Sequence, residues 1–225
     1  MSSTNVKVKI CGITNWKDAR CACDAGVDFL GFNFYRRSPR YIEPLSARGI
    51  VRRLPTGVAS VGVFVNEPEK QMVHIAQTVG LKYIQLHGDE TPAAVSRLRR
   101  ALPAVRIIKA IRVRKRFHVK QLSRFRSASA ILLDGFDAGR PGGTGKTFDW
   151  SVAVQGKPRP LRIFLAGGLT PENVAEAIRV VRPYAIDVCS GVESAPGKKD
   201  RAKIKALMRP VNGRKRSTGK AGRRK

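Results

Sequence analysis

Residues 161–189 of this 225-residue chain, LRIFLAGGLTPENVAEAIRVVRPYAIDVC, hold one complete strand–helix–strand unit. Residues 161–166 and 184–189 are apolar runs of strand length. Between them Thr170 is a candidate N-cap, and Pro171 takes the first helical position. The apolar side chains on one face of this helix are Val174, Ala177, Ile178 and Val181. Two strands that are apolar on both faces and are joined by a helix predict a parallel sheet covered by helices.

The same alternation of strands and helices runs through the whole chain. Further strands are predicted at residues 6–11, 28–34, 58–65, 82–86, 105–110 and 128–133. Further helices are predicted at residues 15–25, 44–53, 68–79, 91–101, 114–125 and 199–208, with a short helical piece near 148–155. Eight strand–helix units in about 200 residues predict an α/β protein with a single closed (β/α)8 TIM barrel. An open doubly wound sheet is the alternative, although no G-x-G-x-x-G motif of a dinucleotide-binding version follows the first strand.

The composition indicates a soluble protein of a reducing compartment. The first ten residues lack the apolar core of a signal peptide, and no run approaches the ~20 apolar residues of a membrane span. Four cysteines do not make a disulfide framework in a chain of this size. The three histidines lack ligand spacing, and no C-x-x-C pair is present. We therefore expect a cytoplasmic protein with no membrane partner and no structural metal.

Net charge is the unusual property of this chain: 44 Lys and Arg face 16 Asp and Glu, which gives +28. Residues 209–225 carry eight of the basic side chains, no acid and three glycines, which is typical of a disordered tail. Residues 1–208, the predicted barrel domain, still carry +20. A nucleic acid or another anionic surface is a partner that such charge favours, through the tail. A solvated basic surface is the alternative, because no aromatic–basic stacking motif accompanies the charge.

Polar side chains gather at the predicted carboxyl ends of the strands, where barrel active sites are built. Cys11 follows the first strand, where Gly12 permits a sharp turn and helix-terminus amides can lower the pKa of a thiol. His87 follows the fourth strand, and Asp134 ends the sixth. The arginines that follow the second strand are Arg36, Arg37 and Arg40. This set of groups predicts an active site at one end of the barrel, although each group alone has a structural explanation.

Glycines after the last two strands predict a phosphate site. Gly167 and Gly168 follow the seventh strand, and Ser190 and Gly191 follow the eighth. Both loops expose backbone amides, and barrels often bind phosphate between these two loops. Tight turns are the alternative explanation, but two such loops on adjacent strands favour phosphate. Residues 142–147, GGTGKT, lack the spacing of a nucleotide-binding P-loop.

Five motifs follow one another along the chain: KICGIT at residues 9–14, QLHG at 85–88, GGTGKTFDW at 142–150, DVCSGVE at 187–193 and PGKKD at 196–200. Together they closely resemble the motifs of the phosphoribosylanthranilate isomerase family. The resemblance runs in consistent order from about residue 6 to residue 208 and leaves only the tail outside. It implies a (β/α)8 barrel that acts in tryptophan biosynthesis and uses no cofactor.

The resemblance also implies a reaction, an Amadori rearrangement of N-(5-phosphoribosyl)anthranilate to an open-chain aminodeoxyribulose phosphate. By motif, Asp134 is the acid that protonates the furanose ring oxygen, and Cys11 is the base that takes the proton from C2. Arg40 matches the arginine that binds the anthranilate carboxylate, and His87 and Asp187 match polar, substrate-binding positions of the site. The phosphate is expected on the amides of the glycine loops. The implied partner is this small phosphoribosyl substrate; we expect a monomer and leave a dimer open.

Strand parity adds a hypothesis about Cys11. If Cys11 points into the barrel, Lys9 does so too, because side chains alternate along a strand. Asp187 and Cys189 share a parity on the eighth strand, which adjoins the first in a closed barrel. We therefore expect Lys9 to pair with Asp187 and to favour the Cys11 thiolate; a pair with another interior acid is the alternative. Cys189 stands where family members more often carry serine.

Two other functions stay open at this stage. A nucleic-acid or anionic-surface binding protein would use the basic tail on a barrel that no longer catalyses. A related sugar isomerase of histidine biosynthesis would keep the phosphoribosyl group and change the aglycone. The acid, base, arginine and phosphate loops together favour an isomerase, and Cys11 with Arg40 favours anthranilate as the aglycone.

Overall fold

Eight parallel strands close into a barrel in the computed structural model, which describes residues 6–113, 118–135 and 162–219. Each strand is hydrogen-bonded to the next in chain order, and the eighth returns to the first. The strands are β1 (Lys7–Ile10), β2 (Phe29–Asn33), β3 (Ala59–Phe64), β4 (Tyr83–Leu86), β5 (Arg106–Arg112), β6 (Ala130–Asp134), β7 (Arg162–Ala166) and β8 (Ala185–Val188). The predicted (β/α)8 barrel is confirmed, and every predicted strand lies within two residues of its expected bounds.

Helices cover the outside of the barrel. They are α1 (Trp16–Asp24), α2 (Pro44–Val51), α3 (Glu69–Val79), α4 (Pro92–Ala101), α5 (Val174–Val181) and α6 (Arg201–Gly219). Asn15 and Thr91 cap α1 and α4, because each side-chain oxygen accepts a hydrogen bond from an amide of the first turn. In the described parts of the chain, no helix has both the length and the apolar character of a membrane span.

Three helical predictions differ from the structure. Residues Val119–Phe125, within the predicted helix 114–125, form a 3₁₀ helix whose buried anchor is Leu122. α5 begins at Val174, because Asn173 Oδ1 accepts from the Thr170 amide and makes a turn before the helix. α6 continues past its predicted end at residue 208, and Val211, which the sequence placed in the tail, is buried. The predicted helical piece near 148–155 and the motif at 142–150 lie outside the described residues.

The strands separate two apolar cores. The inner core fills the barrel, and its buried members are Phe29, Val61, Tyr83, Ile108, Ala110, Ala130, Leu132, Phe164, Ala166 and Ala185. The outer core lies between strands and helices and contains residues of the opposite parity, such as Ile10 and Leu30. Side chains of the inner parity at the carboxyl ends of the strands therefore point into the mouth of the barrel.

A hairpin that the sequence pattern did not predict follows β8. After a 3₁₀ turn at Ser190–Val192, β9 (Glu193–Ala195) pairs antiparallel with β10 (Lys198–Lys199). Strands of two and three residues are too short for alternation to reveal them. The hairpin brings Glu193 and Lys199, both buried, next to the end of β8.

Candidate active site

The first and last strands bring two thiols together. In the ladder between β1 and β8, Ile10 is opposite Val188, so Cys11 and Cys189 come next on the two strands. The Cys11 amide donates to the Val188 carbonyl at 2.9 Å, and the two thiols interact strongly enough for each to shift the pKa of the other. Gly12 then turns the chain away from β1 with a φ of +77°. All four cysteines are free thiols.

Lys9 and Asp187 form a buried ion pair one layer below the thiols. Lys9 Nζ donates to both carboxylate oxygens of Asp187 at 2.9 Å, and the lysine side chain is fully buried. The pairing predicted from strand parity is therefore confirmed. Burial alone would lower the pKa of Lys9, but the charges of Asp187 and Cys11 outweigh it and raise that pKa. Burial raises the pKa of Asp187 to about 6 against the pull of Lys9, and the charge of Cys11 adds to the rise.

The surroundings of Cys11 favour its thiolate. The hydrogen bond from Cys189 is the largest cause of a lowered Cys11 pKa; burial opposes it, and the charge of Lys9 lowers the pKa further. The same hydrogen bond and burial raise the pKa of Cys189, which therefore keeps its proton. Gly31 on β2 leaves the necessary space, because a Cβ there would lie 2.7 Å from Cys11 Sγ and 3.1 Å from Lys9 Nζ. Cys189 and the buried Lys9 ammonium thus favour the thiolate form of Cys11.

Arg40 is held by an acid to which the sequence analysis gave no role. Its Nε and Nη2 donate to the two carboxylate oxygens of Glu193 at 2.7 to 3.1 Å. Lys199 Nζ donates to Glu193 Oε1 at 2.8 Å. Burial opposes the charged form of Glu193, but Arg40 and Lys199 outweigh it and lower the pKa of this carboxyl. Arg40 therefore binds Glu193 with one edge of its guanidinium, and its Nη1 takes no part in that ion pair.

The loop after β2 fixes where Arg40 lies. Asn33 ends β2 and donates from Nδ2 to Ser38 Oγ at 3.0 Å, and the same oxygen accepts from the Arg40 amide at 3.1 Å. A polar residue at the end of an otherwise apolar strand thus closes this loop. Arg40 lies close to the two thiols, whereas the Arg36 guanidinium lies over the Tyr41 ring, 5.5 Å from its centroid.

A chain of three side chains on the other side of the barrel ends at Asp134. Gln85 Nε2 lies 2.9 Å from His87 Nδ1, and His87 Nε2 lies 3.1 Å from Asp134 Oδ2. Because Nδ1 accepts from the amide, the ring carries its proton on Nε2 and donates it to Asp134. The structure brings the predicted His87 and Asp134 together, and it adds Gln85, which belongs to the QLHG motif but had no predicted role.

The turn that carries His87 is clamped from two directions. Lys109 Nζ on β5 donates to the Gly88 carbonyl at 2.7 Å and to Glu90 Oε2 at 2.8 Å, in a buried ion pair. Glu90 Oε1 accepts from the amides of Gly88 and Asn66 at 3.1 and 3.0 Å. A Cβ on Gly88 would overlap Asn66 Oδ1, so only glycine fits between these loops. The clamp holds His87 at the mouth of the barrel.

The four predicted phosphate residues lie in two loops that pack together after β7 and β8. Gly167 and Gly168 have φ values of +95° and +63°, which glycine adopts without strain. Ser190 and Gly191 begin the 3₁₀ turn after β8, and a Cβ on Gly191 would overlap the Leu169 carbonyl oxygen. The two loops therefore meet backbone against backbone, without side chains between them. Glycine-rich loops of this kind can bind an anion through their backbone amides.

The strand order places Cys11 and Asp134 on different sides of the barrel mouth. Strands β7 and β8 separate β1, which precedes Cys11, from β6, which ends with Asp134. A small ligand in the mouth would meet a base on one side and a carboxyl on the other. In the residues that the structure describes, no group of three or more His, Cys, Asp or Glu side chains is placed to hold a metal ion.

Known proteins of one family are similar to this chain over most of its length. A family model described as N-(5'phosphoribosyl)anthranilate (PRA) isomerase matches residues 8–209. The N-(5'-phosphoribosyl)anthranilate isomerase of Trichlorobacter lovleyi is 48% identical over 204 residues, which cover 91% of this chain and 97% of that protein.

Solved structures are similar over the same length. The crystal structure of phosphoribosyl anthranilate isomerase from Thermotoga maritima is 44% identical, with a TM-score of 0.84, covering 92% of this chain and 99% of that one. A structure of phosphoribosyl anthranilate isomerase in complex with reduced 1-(o-carboxyphenylamino)-1-deoxyribulose 5-phosphate is 42% identical, with a TM-score of 0.81 and the same coverage. The chain therefore belongs to the N-(5'-phosphoribosyl)anthranilate isomerase family of tryptophan biosynthesis.

Proposed function

We propose that Cys11 and Asp134 divide the acid–base chemistry of this isomerase between them. The substrate is N-(5-phosphoribosyl)anthranilate, and the product is 1-(2-carboxyphenylamino)-1-deoxyribulose 5-phosphate. Asp134 donates a proton to the furanose ring oxygen, the bond from that oxygen to C1 breaks, and the anilino nitrogen lone pair forms a Schiff base. The Cys11 thiolate then takes the proton from C2, which leaves an enolamine that tautomerises to the ketone.

The buried Lys9 beneath Cys11 is the observation that carries this assignment. A thiol acts as a base only when it is ionised, and a cation within the barrel favours the ionised form. Lys9 is fully buried and is held in place by two 2.9 Å hydrogen bonds to Asp187. Asp187 therefore acts through Lys9. A base built in this way can take a proton from a sugar carbon without forming a covalent bond to it.

The remaining predicted residues bind the substrate or hold a catalytic residue in place. We infer that Arg40 binds the anthranilate carboxylate through Nη1, because Glu193 already holds its Nε and Nη2. His87 holds Asp134 in place through the 3.1 Å hydrogen bond. The phosphate accepts hydrogen bonds from the amides of the two glycine loops after β7 and β8. The relative that binds a reduced phosphoribulose compound supports a ligand of this class.

Single substitutions test the two catalytic roles. We expect Cys11→Ala and Asp134→Asn each to lower kcat by at least ~100-fold while the fold survives, because each removes one general acid or base. Cys21→Ala and Asp24→Asn on α1 are matched controls, since both side chains lie outside the barrel mouth. Turnover and rescue of a tryptophan auxotroph that lacks this isomerase are the measurements. Near-normal turnover of either catalytic variant would refute its role.

We also propose that the protein is a cytoplasmic monomer. Leu45, which is 69% exposed, is the one large apolar side chain that lies exposed among the described residues. A surface without an extended apolar patch offers little for a stable second copy to bury. The four free thiols suit a reducing compartment.

A further inference from the structure

Gln85 contains a buried atom with no hydrogen-bond partner. Within residues 6–113, 118–135 and 162–219, its Oε1 is the only buried side-chain nitrogen or oxygen in this condition. The side chain is 1% exposed. An unpaired buried carbonyl destabilises the folded protein, so an apolar residue of the same length would be the more stable choice for packing alone. The amide must therefore serve another purpose.

The contact with His87 decides how the Gln85 amide is turned. In the strand ladders the neighbours of Gln85 are Val63 on β3 and Ile108 on β5, and both are buried. Neither neighbour offers a polar side chain to the amide. Its Nε2 instead lies 2.9 Å from His87 Nδ1, and Oε1 is left unpaired as a result.

A half-turn of the amide would reverse the chemistry of His87. In the observed orientation Nδ1 accepts, the ring proton is on Nε2, and Nε2 donates to Asp134 Oδ2 at 3.1 Å. If Oε1 faced the ring, the proton would have to be on Nδ1, and Nε2 would present a lone pair to Asp134. That lone pair would repel the carboxylate that remains after Asp134 has given its proton away.

We propose that Gln85 is a positioning residue for the acid step. Its amide fixes His87 as an Nε2–H donor to Asp134 Oδ2, which reserves Oδ1 as the oxygen that carries the proton to the furanose ring oxygen. Oδ2 accepts this hydrogen bond from His87 in both the carboxyl and the carboxylate form, so the contact persists through the transfer. No proton passes through Gln85 or His87. The proposal rests on the proposed role of Asp134 as the acid.

The first test is spectroscopic and needs no turnover. In protein labelled with 15N-histidine at mildly alkaline pH, where histidine rings are neutral, we expect His87 Nδ1 to be unprotonated and Nε2 protonated. Gln85→Glu replaces the donor with an acceptor and should put a proton on Nδ1, while His74 and His118 keep their resonances. A protonated Nδ1 in the unsubstituted protein, or an unprotonated one in Gln85→Glu, overturns the proposal.

The second test links Gln85 to the acid step. Gln85→Met keeps the length of the side chain and removes the hydrogen bond, and we expect kcat to fall about 10-fold or more with KM unchanged. In a His87→Asn background the same substitution should have little further effect, because the link to Asp134 is already broken. An unchanged kcat in Gln85→Met, or an equal fall in both backgrounds, overturns the proposal. Near-normal turnover of Asp134→Asn would instead overturn the acid role itself.

Discussion

Lys9 is one buried cation that faces two acidic groups, Asp187 and Cys11. Asp187 holds its nitrogen with both carboxylate oxygens, yet the pKa of this carboxyl is raised to about 6 because it is buried. The cation therefore stabilises the thiolate as well as the carboxylate. The charge of Lys9 lowers the pKa of the Cys11 thiol and opposes the effect of burial on the pKa of Asp187.

We expect Lys9→Met to move the acidic limb of the kcat/KM profile to higher pH. The pKa of Cys11 is lowered in the folded protein, first by Cys189 and then by Lys9, so the thiolate is lost as pH falls through that lowered value. Without Lys9 the pKa rises, and activity is lost at a higher pH. Lys7→Met is the matched control, because Lys7 lies on the same strand, is 41% exposed and pairs with Asp28. An unchanged acidic limb in Lys9→Met would contradict this role.

The sequence predicts some contacts of the site and misses others for a physical reason. The Lys9–Asp187 pair follows from the alternation along β1 and β8 and from the closure of the barrel. The contacts of Gln85 with His87 and of Glu193 with Arg40 join different elements through side-chain rotamers. No periodicity in the chain encodes those rotamers, so these contacts become visible only in the folded structure.

At the scale of elements, the backbone of the turn after β4 determines where His87 lies relative to Asp134. We expect Gly88→Ala to lower kcat roughly 10- to 100-fold, because its Cβ would overlap Asn66 and displace His87 from Asp134. The melting temperature should fall as well. Gly49→Ala within α2 is the matched control, since nothing lies within 4 Å of a Cβ there, and it should stabilise the helix slightly. Equal kinetics for the two variants would show that the clamp does not position His87.

The barrel strands were predictable because each is a long apolar run. Elements that are short or weakly patterned were not predictable. Each barrel strand is buried on both faces, so its apolar run stands out from the loops. The helix predicted at 114–125 has a sparse apolar face, and its residues Val119–Phe125 adopt the tighter 3₁₀ form. The hairpin strands β9 and β10 are three and two residues long, which is too short for an alternating pattern to show in the sequence.

At the scale of the whole molecule, we expect the basic residues after Asn212 to be unnecessary for catalysis, whereas Val211 is part of the packed structure. We expect a chain that ends at Asn212 to keep its kcat and its melting temperature, and to sediment as a monomer. A chain that ends at Arg209 also loses Val211, which is buried, and should melt lower by about 2–4 °C for each kcal/mol of lost burial. Thermal unfolding and sedimentation are the measurements, and equal melting temperatures would contradict the packing of Val211.

Seven basic residues are removed with residues 213–225, so affinity for a DNA probe at low salt should fall in both truncated chains.

The pairing of β1 with β8 also determines when the Cys11 thiol acquires its lowered pKa. Lys9 and Asp187 are 178 residues apart in sequence, and Cys189 reaches Cys11 from the same late strand. Until β8 has been made, Cys189 is absent and Lys9 is not yet held by Asp187 beneath Cys11. A nascent polypeptide therefore carries an ordinary thiol through most of its synthesis. The lowered pKa of Cys11 therefore depends on β8, the last strand of the barrel in chain order.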